Sequence, residues 1–188
     1  PGIKKVGLTG SPFTRNAEIT ATTRALRTSL PIAAVGALIA LAIAMRSIPY
    51  AVVTVIPVGL VVAWLYAFMF LAGFALNFVT ATIGALSIGV GIDYSIHMTE
   101  RFREELSRAT DTIQALRRAA AGTGTALLGS AGSSIVGFTI MGFAPMPMFS
   151  TYGILTATMI FLALAASILV LPSLLVLVAG REKIRSAR

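Results

Sequence analysis

The sequence predicts an all-α membrane protein built around a bundle of five transmembrane helices, and three observations lead there. Of its 188 residues, 56% are hydrophobic and 12% charged, where a soluble domain averages about 45–50% and about 25%. The apolar residues gather into five stretches, and about 20 helical residues cross the hydrocarbon of a bilayer. None of the stretches alternates like a barrel strand, and an isolated strand cannot satisfy its backbone in lipid. With a mean hydropathy of +0.88, the composition excludes disorder and an ordinary water-soluble enzyme.

Residues 1–28 are polar. Residues 3–8 can form a short strand, stopped by Gly10, Ser11 and Pro12, and residues 16–28 a helix that runs into the next segment. This part reads as the end of an extracytoplasmic domain plus a linker helix. The opening PGIKKVGLTG has no initiator Met and reads as the interior of a longer chain. Residues 29–180 are the transmembrane domain. Its apolar segments are 30–45, with Pro31 in the first turn; 50–71, with Pro57, Trp64 and Tyr66; 76–97; 119–143; and 149–179, long enough to tilt. Between the third and fourth, residues 99–118 place Phe102, Leu106, Ala109, Ile113 and Leu116 on one helical face. Five arginines and four acids share the rest. That pattern predicts a cytoplasmic amphipathic helix on the membrane surface. Residues 181–188 form a basic cytoplasmic tail.

The net charge of +8 would suggest nucleic acid in a soluble protein. Here the basic residues sit between apolar runs, so they set topology and meet anionic headgroups, and no nucleic acid partner is expected. Ten of the 15 Lys and Arg fall on the side of Arg46, residues 99–118 and the C-terminal tail, which is therefore cytoplasmic. Lys4, Lys5, Arg15, Arg24 and Arg27 lie outside, as a translocated folded domain permits. The expected location is the cell (plasma or inner) membrane, with membrane lipids as the surroundings. With no Cys and one His, there is neither a disulfide nor a metal site to expect. No cofactor is implied, and no nucleophile–base set suggests an enzyme.

Asp93 is the only acid inside any apolar segment. Placing Asp at a helix centre costs about 2.5–3.5 kcal/mol on insertion scales. Such residues normally face a bundle interior and mark a functional path. Removal from water favours the neutral carboxyl, and a carboxyl that takes a proton on one side and releases it on the other can couple transport to a gradient. Tyr94 lies about 100° round the helix, and His97 is one turn on, on the face of Asp93. All three are candidates for a proton relay. Ser87, Gly91 and Ser95 form a small-residue ridge on the third segment, and Gly129 and Gly137 belong to a similar ridge on the fourth. Such ridges let helices approach closely. Pairing the two would bring the hydroxyls of Ser130, Ser133 and Ser134 toward Asp93.

The motif GVGIDYSIHMTERFREE, with AGTGTALLGSAGSSIVGF, APMPMFSTYGIL and LPSLLVL, resembles the resistance–nodulation–division (RND) superfamily, particularly its MMPL-type and predicted-exporter branches. The resemblance covers nearly the whole chain. It implies the last five helices of one half of a two-half protein, with Asp93 matching the relay acid and Tyr94 its neighbouring tyrosine. It further implies a proton-driven exporter of lipids or other hydrophobic molecules, working with a second half or other subunits as an oligomer. Three alternatives stand beside it. One is a sterol-sensing-like lipid-binding module of the same five-helix architecture. Another is Na⁺ coupling, with Asp93 and serine hydroxyls holding the cation. The last is a scaffold without transport.

Overall fold

A computed structural model describes residues 11–109 and 111–186; the expected strand at 3–8 lies outside them. Among the described residues every regular element is helical. Five helices are long and apolar enough to cross a membrane, which makes this a multi-pass membrane protein. In order they are α1 (Ser11–Met45), α2 (Ile48–Leu71), α3 (Phe78–Arg108), α4 (Thr112–Met141) and α5 (Pro147–Ala165). The fifth span continues through a π-helical turn, Ala166–Val170, into α6 (Leu171–Ser186).

α1 extends from the polar stretch into the apolar segment without a break. Its polar first half stays helical, with Thr20, Thr23 and Thr28 each donating to a carbonyl one turn back. Pro31 therefore sits in the helix interior, its ring on an exposed face. The reversal to α2 uses Arg46 in the left-handed region at φ 48, followed by Ser47 as N-cap and a proline in the first turn of α2. At the opposite end Gly73, at φ 73, ends the α2 turn. Asn77 then starts α3 with a reciprocal cap: its side chain accepts from the Thr80 N–H at 3.0 Å, and the Thr80 hydroxyl accepts from the Asn77 N–H at 2.8 Å.

The separate surface helix expected over 99–118 is absent. α3 runs straight on to Arg108, and α4 starts at Thr112. The apolar face read there has a nearer place to bury than a bilayer surface. Phe102 is fully buried, and Leu106, Ala109 and Leu116 pack with it against Met45, Ala115, Ala119 and Ala179. Ile113 alone of the five is largely exposed, at 52%. Arg101 pairs with Glu104 and Glu105, and Arg108 with Glu104, at 2.8–3.0 Å. Those pairs are solvated or partly so, and contribute little.

The small-residue ridges also pair differently from the expectation. Ser87, Gly91 and Ser95 are buried, and at Gly91 the neighbour is the fifth span: a Cβ there would lie 3.6 Å from that of Ala163. Gly129 and Gly137 on α4 have nothing within 4 Å of an added Cβ. α4 meets α3 through other residues, with Leu127 and Ala131 buried beside Ile83 and Tyr94. α3 is the central helix, touching every other element. Two apolar clusters result, one at the Arg46 end and one at the opposite end.

The α4–α5 turn depends on a glycine. A Cβ on Gly153 would lie 2.6 Å from both the Gly142 nitrogen and the Phe138 oxygen, which are backbone atoms with no room to yield. We expect Gly153→Ala to lower the unfolding temperature in detergent by several degrees. Gly137→Ala, which meets open space and gains helix propensity, should leave it equal or raise it. Equal effects of the two would refute this account of the turn.

Candidate functional site

α3 carries the candidate site, and its two faces differ. Gly91, Ser95 and Phe102 point inward and are buried, while Ala85, Gly89, Asp93, His97 and Glu100 lie on the opposite, exposed face. The helical repeat of 3.6 residues produces this split: positions four apart share a face, and positions two apart oppose one another. The bundle interior expected for Asp93 is therefore not where it sits. The inner side of α3 is filled by the contact with the fifth span, where a carboxyl has no room. At 1.5 Å per residue, Asp93 lies about 24 Å along the helix from Asn77 and about 10 Å from Glu100, well within a hydrocarbon layer.

The other predicted site residues divide. His97 is exposed on the Asp93 face. Tyr94 is 7% exposed and packs with the α4 and α5 side of the bundle. Ser130, Ser133 and Ser134 form no hydrogen bond with Asp93: the Ser133 hydroxyl donates to the Ser130 carbonyl at 2.9 Å within its own helix. No group of three or more His, Cys, Asp and Glu that could hold a metal ion occurs among the described residues.

Three contacts that the sequence reading missed fix the rotation of α3. At the Arg46 end the buried hydroxyls of Thr54 and Thr99 meet at 2.9 Å, and Thr54 also donates to the Tyr50 carbonyl at 2.7 Å. One turn further, Arg103 donates to the Met45 carbonyl at 2.8 Å, placing a cation at the C-terminal end of α1, and lies 5.0 Å from the centre of the Tyr50 ring. In mid-membrane, the Ser167 hydroxyl of the π turn donates to the Tyr94 carbonyl at 3.0 Å. A single Thr, Arg or Ser carries no periodic signal, so only Pro172, just after the turn, hinted at irregular backbone there.

A groove flanks the site on its other side. α1, α2 and α3 enclose an apolar space of about 460 Å³, lined among others by Leu30, Ala34, Val55, Gly59 and Ile92.

Over residues 2–188 the chain matches the MMPL family. It is 31% identical over 179 residues to the membrane protein MJ1562 of Methanocaldococcus jannaschii, covering 94% of this chain and 45% of that protein. It is 26% identical over 106 residues to the sulfolipid-1 exporter MmpL8 of Mycobacterium tuberculosis, covering 56% of this chain and 10% of the exporter. A membrane protein of Streptomyces coelicolor, SCO6666, is 29% identical over 103 residues, 55% of this chain and 15% of its own length. The chain thus spans less than half of each of these relatives.

The threonine pair supplies an asymmetric test. Thr54→Val leaves the buried Thr99 hydroxyl without its partner, which costs about 1–3 kcal/mol. Thr99→Val leaves Thr54 still bonded to the Tyr50 carbonyl and should cost less. Denaturant unfolding in micelles should rank the two in that order; the reverse order would mean the pair does not anchor α3.

Proposed function

The chain belongs to the MMPL family, and from that premise we propose that it is the membrane part of a proton-driven exporter of lipids or other hydrophobic molecules. The observation that carries the reading is Asp93, the only acid within the apolar segments, on the uncovered face of the central helix. A carboxyl facing lipid tails is unfavourable by a few kcal/mol. A second half of the transporter, or another subunit, laid on this face would remove it from lipid and supply the partner the bundle lacks. Asp93 then binds a proton from the outer side and releases it toward His97 and the cytoplasmic end. Neutral and charged Asp93 favour different packings of α3 against that partner, and alternation between them drives domains outside the bundle. Tyr94, turned toward α4 and α5, sets the rotation of α3. The name of the mycobacterial relative, a sulfolipid-1 exporter, supports a lipid substrate.

One observation favours a second reading. The apolar groove between α1, α2 and α3 has the dimensions of a ligand site, and a lipid held there without any gradient would make the bundle a sterol-sensing-like receptor. Lipid binding that survives Asp93→Asn and collapse of the gradient, without net transport, would favour it.

The test uses the full-length protein in liposomes of native lipid extract, with an internal pH dye, an imposed proton gradient and no Na⁺. We expect Asp93→Asn, which keeps shape and hydrogen bonding, to lower proton flux at least tenfold without lowering the unfolding temperature. Wild-type flux in the variant would remove Asp93 from the path. Flux that appears only when Na⁺ is added at fixed pH would assign the coupling to Na⁺.

A further inference from the structure

The π-helical turn has no role in the reading above, yet it touches the helix of Asp93. Its wide geometry is recorded by the Leu171 N–H, which bonds the Ala166 carbonyl five residues back. Pro172 explains why the turn is here: a proline lacks the N–H that would bond the Ile168 carbonyl in a regular α-helix, and its ring clashes with that group. The extra residue accommodated by the wide turn carries Ser167, 0% exposed, onto the backbone of α3, where its hydroxyl donates to the Tyr94 carbonyl at 3.0 Å. This is the peptide next to Asp93. Directly beside it lies the Ser95 hydroxyl, 1% exposed and with no hydrogen-bond partner. α3 and the fifth span run parallel, and the offset that sets Gly91 against Ala163 sets Ser95 against Ser167. An unpartnered hydroxyl inside a membrane protein is destabilising, so its presence one residue from a made bond requires a reason.

We propose that the π turn Ala166–Val170 is an adjustable joint, with Ser167 as a positioning residue that holds α3 through the Tyr94 carbonyl in one state and passes its hydrogen bond to the Ser95 hydroxyl in the other. The joint rests on the proton-relay reading for its purpose: a change at Asp93 shifts α3 against the fifth span, and the two acceptors provide two discrete resting positions instead of a continuous slide. π turns of this kind occur frequently at functional sites. The close approach of Gly91 and Ala163 lets α3 move by a fraction of a turn without a large side chain in the way. The joint explains both why Ser167 makes a bond between spans and why Ser95 makes none in this state.

Ser95→Ala is the informative variant, because it removes a hydroxyl that bonds nothing here. A purely structural role predicts unchanged flux and an equal or higher unfolding temperature. The joint predicts the same stability but proton flux in the full-length protein reduced fivefold or more, with Ser167→Ala reduced to a similar level and the double variant no worse than either. Wild-type flux in Ser95→Ala, with Asp93→Asn inactive, would overturn the joint and leave the relay standing. If Asp93→Asn itself transports at the wild-type rate, the relay reading fails, and a flux-independent signal decides on the joint. With ¹³C-labelled tyrosine carbonyls, the infrared band of Tyr94 is identified by its shift in Ser167→Ala. The joint predicts that Asp93→Asn moves the band toward that position. A band identical to wild type would overturn it.

Discussion

The organisation of the bundle follows from one steric constraint, the close approach of α3 to the fifth span. A Cβ at Gly91 would already be in ordinary contact with that of Ala163, at 3.6 Å, so the seam is lined by small residues. Once that seam is closed, the helical repeat decides the rest. Residues on the Gly91 side are buried, and residues half a turn round, Asp93 and His97 among them, lie on the outer surface. A carboxyl cannot be accommodated in the seam, and in hydrocarbon it is disfavoured by a few kcal/mol. The same contact that stabilises the bundle thus creates a polar, uncovered stripe that calls for a partner. At four glycines of α4, Gly124, Gly129, Gly132 and Gly137, an added Cβ would meet no atom within 4 Å. Small surfaces of this kind suit a second helical unit.

Much of this architecture was legible in the sequence. The five spans follow from hydropathy because lipid imposes length and apolarity on each crossing helix. The exceptional status of Asp93 follows from the same rule. Periodicity over residues 99–118 correctly gave one apolar face, containing Phe102, Leu106 and Leu116. It could not say whether that face meets lipid or protein, since Met45 and Ala179 come from distant parts of the chain. The ridge Ser87–Gly91–Ser95 was recognisable, but its partner was not, because α4 and the fifth span both offer small residues. Helical phase relates residues on one helix and is silent on which neighbour each face meets.

The contacts that orient α3 were hidden for a related reason. Arg103 reads as one more charge in a charged stretch, yet it reaches the Met45 carbonyl and the Tyr50 ring. Thr54 and Thr99 read as incidental polar residues, and Ser167 as a small residue in an apolar run. Each acts through one or two specific partners from distant parts of the chain. Together they hold the inner end and the middle of α3, while the outer half of α1 leaves cavities beside α2 and α3.

The claim that most needs direct measurement is that protein, not lipid, covers the Asp93 face in the complete molecule. Spin labels at Ala85, on that face, and at Ile43, 73% exposed on α1, would be compared for collision with oxygen dissolved in the bilayer. In the full-length protein the account predicts an immobile label at Ala85 with little exposure to oxygen, and a mobile, accessible one at Ile43. Equal accessibility at the two positions would mean that α3 faces lipid, and would contradict the assignment of this face as the site of coupling.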